Sequence, residues 1–63
     1  MSDFKTRLIQ ERDELREKTE KLVAFLHTEE SHAIPEIQRE LLRQQHSHMY
    51  GYLSVLNQRL DNL

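Results

Sequence analysis

The chain has 63 residues and no cysteine, so disulfides and thiolate metal sites cannot compensate for the small core of so short a fold. Charged residues make up 32% of the chain, while glycine and proline occur once each, which is typical of long helices rather than sheets. The formal net charge of −2 provides no overall basic field. This balance argues against a protein that binds duplex nucleic acid.

The first predicted helix runs from about residue 3 to residue 26. Ser2 or Asp3 is expected to cap it, because a side-chain oxygen at that position can accept a free backbone N–H. Leucines recur every seven residues along this segment, at Leu8, Leu15 and Leu22. This spacing predicts a narrow apolar stripe along one side of the helix.

The predicted turn covers residues 27–34 and is followed by Pro35, which suits the first turn of a helix and disfavours helical geometry in the residue before it. The second predicted helix runs from about residue 35 to residue 60. Because the connection is short, the two helices should be antiparallel neighbours. The face expected to contact the first helix, which we call the seam, consists of Leu42, His46, Met49, Leu53, Leu56, Leu60 and Leu63.

A second apolar face lies beside the seam on the same helix. We call it the outer apolar surface, and it consists of Ile34, Ile37, Leu41, His48, Tyr52 and Val55. One hairpin has no further helix to cover this face. The sequence therefore predicts an all-α, coiled-coil-like antiparallel two-helix hairpin, a single domain over residues 1–63, that assembles into a homo-oligomeric helical bundle.

No catalytic or metal-binding arrangement is legible in the sequence. His46 and His48 are two residues apart, so they point to different sides of a helix, and a single glycine cannot build a phosphate-binding loop. No apolar run approaches the roughly 20 residues that span a bilayer, and the N-terminus lacks a targeting pattern. We expect no enzyme activity, no cofactor, no metal and no membrane association, and a cytoplasmic location.

Basic and aromatic residues follow one another at helical spacing in the second helix. We call this set the basic ridge: Arg39, Arg43, His46 and Tyr50. Arginine pairs with phosphate and aromatic rings stack on bases, so the ridge suits a flat, anionic ligand, with Arg12 of the first helix in support. The alternative is a solvated face with local ion pairs, such as Arg39 with Glu36 or Glu40.

A broader pattern consists of Asp3, Phe4, Arg7, Leu8, Glu11, Glu14, Leu15, Lys18, Lys21, Leu22, Phe25, Glu40, Leu41, Leu42, Gln45, Met49, Tyr52, Val55, Leu56, Arg59 and Leu60. In this pattern the chain resembles small helical proteins of tailed bacteriophages, including crAss-like phages, that have no assigned function. The resemblance implies a phage protein acting in the host bacterial cytoplasm, where such proteins often counter bacterial defence by sequestering nucleotide signals.

The leading functional hypothesis is a non-enzymatic, oligomeric binding protein that captures a nucleotide-derived host immune signal between copies of the chain. Two alternatives remain open. The chain is a protein–protein interaction module that inhibits a host enzyme through its outer apolar surface, or it is a structural phage accessory protein whose only activity is self-assembly.

Overall fold

Two long α-helices and a short 3-10 turn make up the computed structural model, which describes residues 3–63. Helix α1 spans Asp3–Leu26, the 3-10 turn spans Glu29–Ala33 and helix α2 spans Glu36–Asp61. Ser2, one of the two predicted caps, lies outside the described residues. The predicted all-helical hairpin is confirmed, because the two helices pack against each other along their length.

The helices run antiparallel, since the beginning of α1 lies beside the end of α2. Arg59 places its guanidinium carbon 5.7 Å from the centre of the Phe4 ring, and Arg12 hydrogen-bonds to Asn57. The molecule measures 47 × 15 × 13 Å, which is the shape of two rods side by side. Such a shape leaves every side chain close to solvent on at least one side.

The contact between the helices follows the predicted seam, with one exception. Leu8 of α1 and Leu56 of α2 are the apolar side chains that residues 3–63 bury fully, at 3% and 1% exposure. The other seam residues within α2 are half-buried: Leu42, His46, Met49, Leu53 and Leu60. The prediction was wrong for Leu63, which is 61% exposed because α2 ends at Asp61 and helical spacing no longer directs the side chain inward.

The connection is stabilised by its own hydrogen bonds. Thr28 caps the 3-10 turn by accepting from the Ser31 backbone N–H, and its hydroxyl donates to the Phe25 carbonyl at 2.6 Å. The Ser31 side chain is fully buried, and its hydroxyl donates to the Thr28 carbonyl at 2.7 Å. Pro35 is extended, and its carbonyl accepts from the Gln38 N–H at 2.9 Å to begin α2. The chain reversal therefore satisfies polar groups that would otherwise be lost at the helix ends.

Most of the outer apolar surface is open to solvent. Ile37 is 63% exposed and Val55 is 52% exposed, whereas Ile34 is half-buried because it lies in the connection rather than in α2. The accessible surface of 4942 Å² exceeds the roughly 4,300 Å² that size scaling gives for a compact 7.6 kDa monomer. The hairpin therefore exposes more total surface than folded chains of its size usually do.

Gly51 lies inside α2, and a Cβ atom added there would meet nothing within 4 Å. Glycine in a helix interior costs about 1 kcal/mol relative to alanine. We therefore expect Gly51→Ala to stabilise the protein by about that amount, which raises Tm by roughly 4–8 °C in a chain of this length. Circular dichroism melting measures the change. An unchanged or lower Tm would contradict the open environment of this position and would indicate that another backbone packs there.

Candidate functional site

The basic ridge begins with two arginines in different surroundings. Arg39 is half-buried against the helix contact, and its buried Nε has no hydrogen-bond partner within residues 3–63. Arg43 is exposed, and its Nη1 lies 2.8 Å from Oε1 of Glu40. The local ion pair expected on this face thus forms with Arg43 and not with Arg39. The Arg43 side chain remains 48% exposed beside this pair.

The next two members of the basic ridge form a pair of neighbouring rings. The centres of the His46 and Tyr50 rings are 6.4 Å apart, and the ring planes are tilted by 36°. His46 is half-buried at the seam, whereas Tyr50 is 64% exposed. The His46 ring lies at the helix contact, whereas the Tyr50 ring has a face open to solvent. Such a face can stack against a flat ligand.

Arg12 joins the same side of the hairpin from α1. Its Nη1 donates to Oδ1 of Asn57 in α2 at 2.9 Å, and its Nε donates to Oδ1 of Asp13 at 2.7 Å. Arg16 donates to the same Asp13 oxygen at 3.0 Å. These hydrogen bonds, that from Arg12 first, lower the pKa of Asp13 below its ordinary 3.8, against a smaller opposing effect of desolvation. Two guanidinium groups therefore share one carboxylate, and the cluster keeps a positive charge.

A pocket of about 240 Å³ lies between the ring pair and the Arg12 contact. Its walls are Tyr50, Leu53, Ser54, Asn57 and Gln58. The sequence analysis included Tyr50 in the ridge but missed the polar residues beyond it. The sequence does contain a signal for these residues. The spacings of four and three between Tyr50, Ser54 and Asn57 place them on one side of a helix.

A different side of α2 carries the outer apolar surface. Leu41 and Arg43 are two positions apart, which separates their directions by about 200° around the helix axis. On the Leu41 side, a shallow groove of about 410 Å³ is lined by Leu41, Gln44, Gln45, His48, Met49 and Tyr52. At its end the Tyr52 hydroxyl donates to Glu11 of α1, and this bond raises the pKa of Tyr52 above 10.0. The apolar groove and the basic ridge are therefore separate surfaces.

Neither a three-residue metal cluster nor a membrane-spanning helix occurs in residues 3–63. No group of three histidine, cysteine, aspartate or glutamate side chains within that range is arranged to hold a metal ion. Neither helix of the described chain is both long and apolar enough to traverse a lipid bilayer. The basic ridge, the pocket beside it and the outer apolar surface are candidate binding features of residues 3–63, as is a second pocket of about 240 Å³ lined by Phe4, Arg7, Leu8, Glu11 and Arg59.

Comparison with known proteins adds one finding to this geometry. A family model described as Sequestin matches residues 2–62, which is nearly the whole chain. No curated protein and no solved structure matches the chain significantly. The match covers both helices and the connection, so the basic ridge and the outer apolar surface both lie within it.

Proposed function

Since this chain belongs to the Sequestin family, whose name is consistent with a sequestering and binding function, we propose that it is a non-enzymatic binding protein that captures a nucleotide-derived signal. The bacteriophage origin, the host cytoplasm as its location and the immune role of the signal belong to the same proposal. They follow from the resemblance to small phage proteins, and the family name favours binding over catalysis.

The observation that carries the proposal is the tilted ring pair of His46 and Tyr50 with an exposed guanidinium next to it. The rings lie 6.4 Å apart, and Arg43 is one helical turn away on the same side of α2. An exposed tyrosine face suits a nucleobase, and guanidinium donors suit phosphate oxygens. Arg12 extends the positive charge from the other helix through its bond to Asn57.

Calorimetric titration with cyclic dinucleotides, cyclic trinucleotides and ADP-ribose derivatives tests this function. We expect heat and a raised Tm with at least one of them, because a ligand that binds only the folded state stabilises it. Arg43→Ala should weaken that binding about tenfold or more, since a hydrogen bond to a charged group is lost. Lys21→Ala is the matched control: it removes the same charge from an exposed i,i+4 pair with Glu17 in α1.

Two results would contradict the proposal, the first by rejecting the ligand function and the second by rejecting Arg43 as a specific contact. The first is the absence of heat and of any Tm change with the whole panel. The second is equal weakening by Arg43→Ala and Lys21→Ala, because that would indicate a loss of net charge rather than of a contact. Both replaced side chains are exposed, so neither variant is expected to unfold the protein.

We also propose that the outer apolar surface binds a second copy of the chain. The reason is the size of the core, because residues 3–63 bury two apolar side chains fully, which is few for an independent domain. Self-association along this surface would leave the basic ridge open, since the two lie on different sides of α2. The ligand would then bind to each hairpin rather than between copies joined by the apolar surface.

A host protein is the second candidate occupant of the outer apolar surface, and the exposed groove beside Leu41 favours it. In a pull-down from bacterial lysate, loss of a captured enzyme with Ile37→Asp but not with Arg43→Ala would support that inhibitory module. The comparison is informative only if Ile37→Asp keeps the wild-type mass in solution. Capture that depends on Arg43 instead would favour the ligand function.

A further inference from the structure

Neighbouring side chains determine which hydrogen-bond donors and acceptors the pocket between Tyr50 and Asn57 offers to a ligand. Arg12 donates to the carboxamide oxygen of Asn57, so the oxygen is engaged and the amide N–H groups remain available to a ligand. Gln58 donates to the Ser54 hydroxyl oxygen at 3.3 Å, which leaves the hydroxyl hydrogen available. Asn57 and Ser54 therefore present donors, to which a ligand can supply acceptors.

The charged residues beside the pocket also favour an anionic ligand. Arg12 and Arg16 both donate to one oxygen of Asp13, at 2.7 and 3.0 Å. Two positive groups against one negative group leave an excess of one charge beside the pocket. The shared carboxylate also holds the guanidinium groups side by side before any ligand arrives, which reduces the entropy lost on binding.

The remaining walls of the pocket are suited to a flat ring. Tyr50 supplies an exposed aromatic face and Leu53 an apolar floor. The volume of about 240 Å³ lies below the range of about 300–1,000 Å³ for pockets that enclose a whole drug-sized ligand. The pocket therefore matches one part of a larger molecule rather than all of it.

We propose that this pocket is an anion-binding subsite that takes a phosphate group attached to a flat ring, with Arg12, Arg16 and Asn57 donating to the phosphate and Tyr50 contacting the ring. The inference rests on the proposed function and refines it. It assigns the phosphate to the end of the ridge where α1 and α2 meet through Asn57, and it adds Arg16 as a binding residue. Arg43, about 21 Å from Asn57 along α2, contacts a more distant part of the ligand.

Nuclear magnetic resonance titration with ADP, inorganic pyrophosphate and adenosine tests the subsite directly. ADP should shift the side-chain amide signals of Asn57 and the ring signals of Tyr50, and pyrophosphate should shift Asn57 alone. Adenosine, which has no phosphate, should bind at least tenfold more weakly than ADP. Arg16→Ala should weaken ADP binding about tenfold, while Lys21→Ala, with the same change of charge on the same helix, should leave it within twofold.

The outcomes that would contradict this inference differ from those that would contradict the proposed function on which it rests. Shifts confined to the surroundings of Arg39 and Arg43, with Arg16→Ala binding ADP as the wild type does, would reject the subsite and leave the ridge as the binding site. Equal affinity for adenosine and ADP would reject the role of the phosphate. No shift with any of the three compounds at millimolar concentration would also reject the subsite, whereas the calorimetric panel decides the wider function.

Discussion

Replacement of Leu56 by alanine is expected to lower the free energy of unfolding by about 2–5 kcal/mol. Leu56 is the most deeply buried side chain of the helix contact, at 1% exposure. Truncation of a buried leucine to alanine costs about 2–5 kcal/mol. A chain of this length has a total stability of roughly 3–9 kcal/mol, so the loss removes a large part of it. Urea denaturation followed by circular dichroism measures the change as a lower midpoint.

Leu63→Ala is the matched control for this experiment, because it makes the same chemical change at a residue that is 61% exposed. It should shift the free energy of unfolding by less than about 0.5 kcal/mol. The pair also tests where the seam ends. If both variants lost the same stability, Leu63 would pack against the other helix in solution, and the packing described here would be wrong at that end.

Replacement of Leu41 by aspartate is expected to reduce the mass of the protein in solution to that of one chain. Leu41 lies in the middle of the outer apolar surface and is 46% exposed in the single hairpin. A carboxylate buried there between two copies would have no partner charge, and burial of an unpaired charge costs several kcal/mol. Light scattering at tens of micromolar protein measures the mass directly.

Ser47→Asp is the control for Leu41→Asp, since it adds the same charge to an exposed position on another side of α2. This variant should keep the wild-type mass. Self-association also makes Tm rise with protein concentration, because copies stabilise one another by mass action. A wild-type protein that behaves as a 7.6 kDa monomer with a Tm independent of concentration would refute the proposed pairing.

The hairpin was predictable because each of its determinants is local in sequence. Long stretches without proline predict the helices, and Pro35 predicts the boundary of the second helix. The spacing of the leucines predicts which face of α2 contacts α1, and this holds from Leu42 to Leu60. It fails at Leu63, because periodicity cannot indicate the residue at which a helix ends.

The sequence did not predict the contacts that depend on the register between the two helices. Neither the bond from Arg12 to Asn57 nor that from Tyr52 to Glu11 follows from spacing within one helix. Each requires the relative translation of α1 and α2, which the packing of many side chains determines together. The buried Ser31 hydroxyl was missed for a similar reason, since its partners become close only once the turn has formed.

The candidate site was predictable to the level of one helix face. The ring pair of His46 and Tyr50 forms as their spacing of four indicates. Arg12 was expected to support the ridge, and it lies on that side of the hairpin through its bond to Asn57. The pocket between Tyr50 and Asn57 required knowledge of which polar atoms are already engaged, and that information comes from the folded arrangement alone.

The self-contained hydrogen bonds of the connection bear on how assemblies of this protein are built. Helical hairpins can exchange helices between chains when the loop straightens into one continuous helix. Here Pro35 would sit inside such a helix, at a cost of about 3 kcal/mol, and the polar contacts of Ser31 and Thr28 would be broken as well. We therefore expect closed hairpins, each with both of its helices from one chain, to be the building blocks if copies of the chain associate.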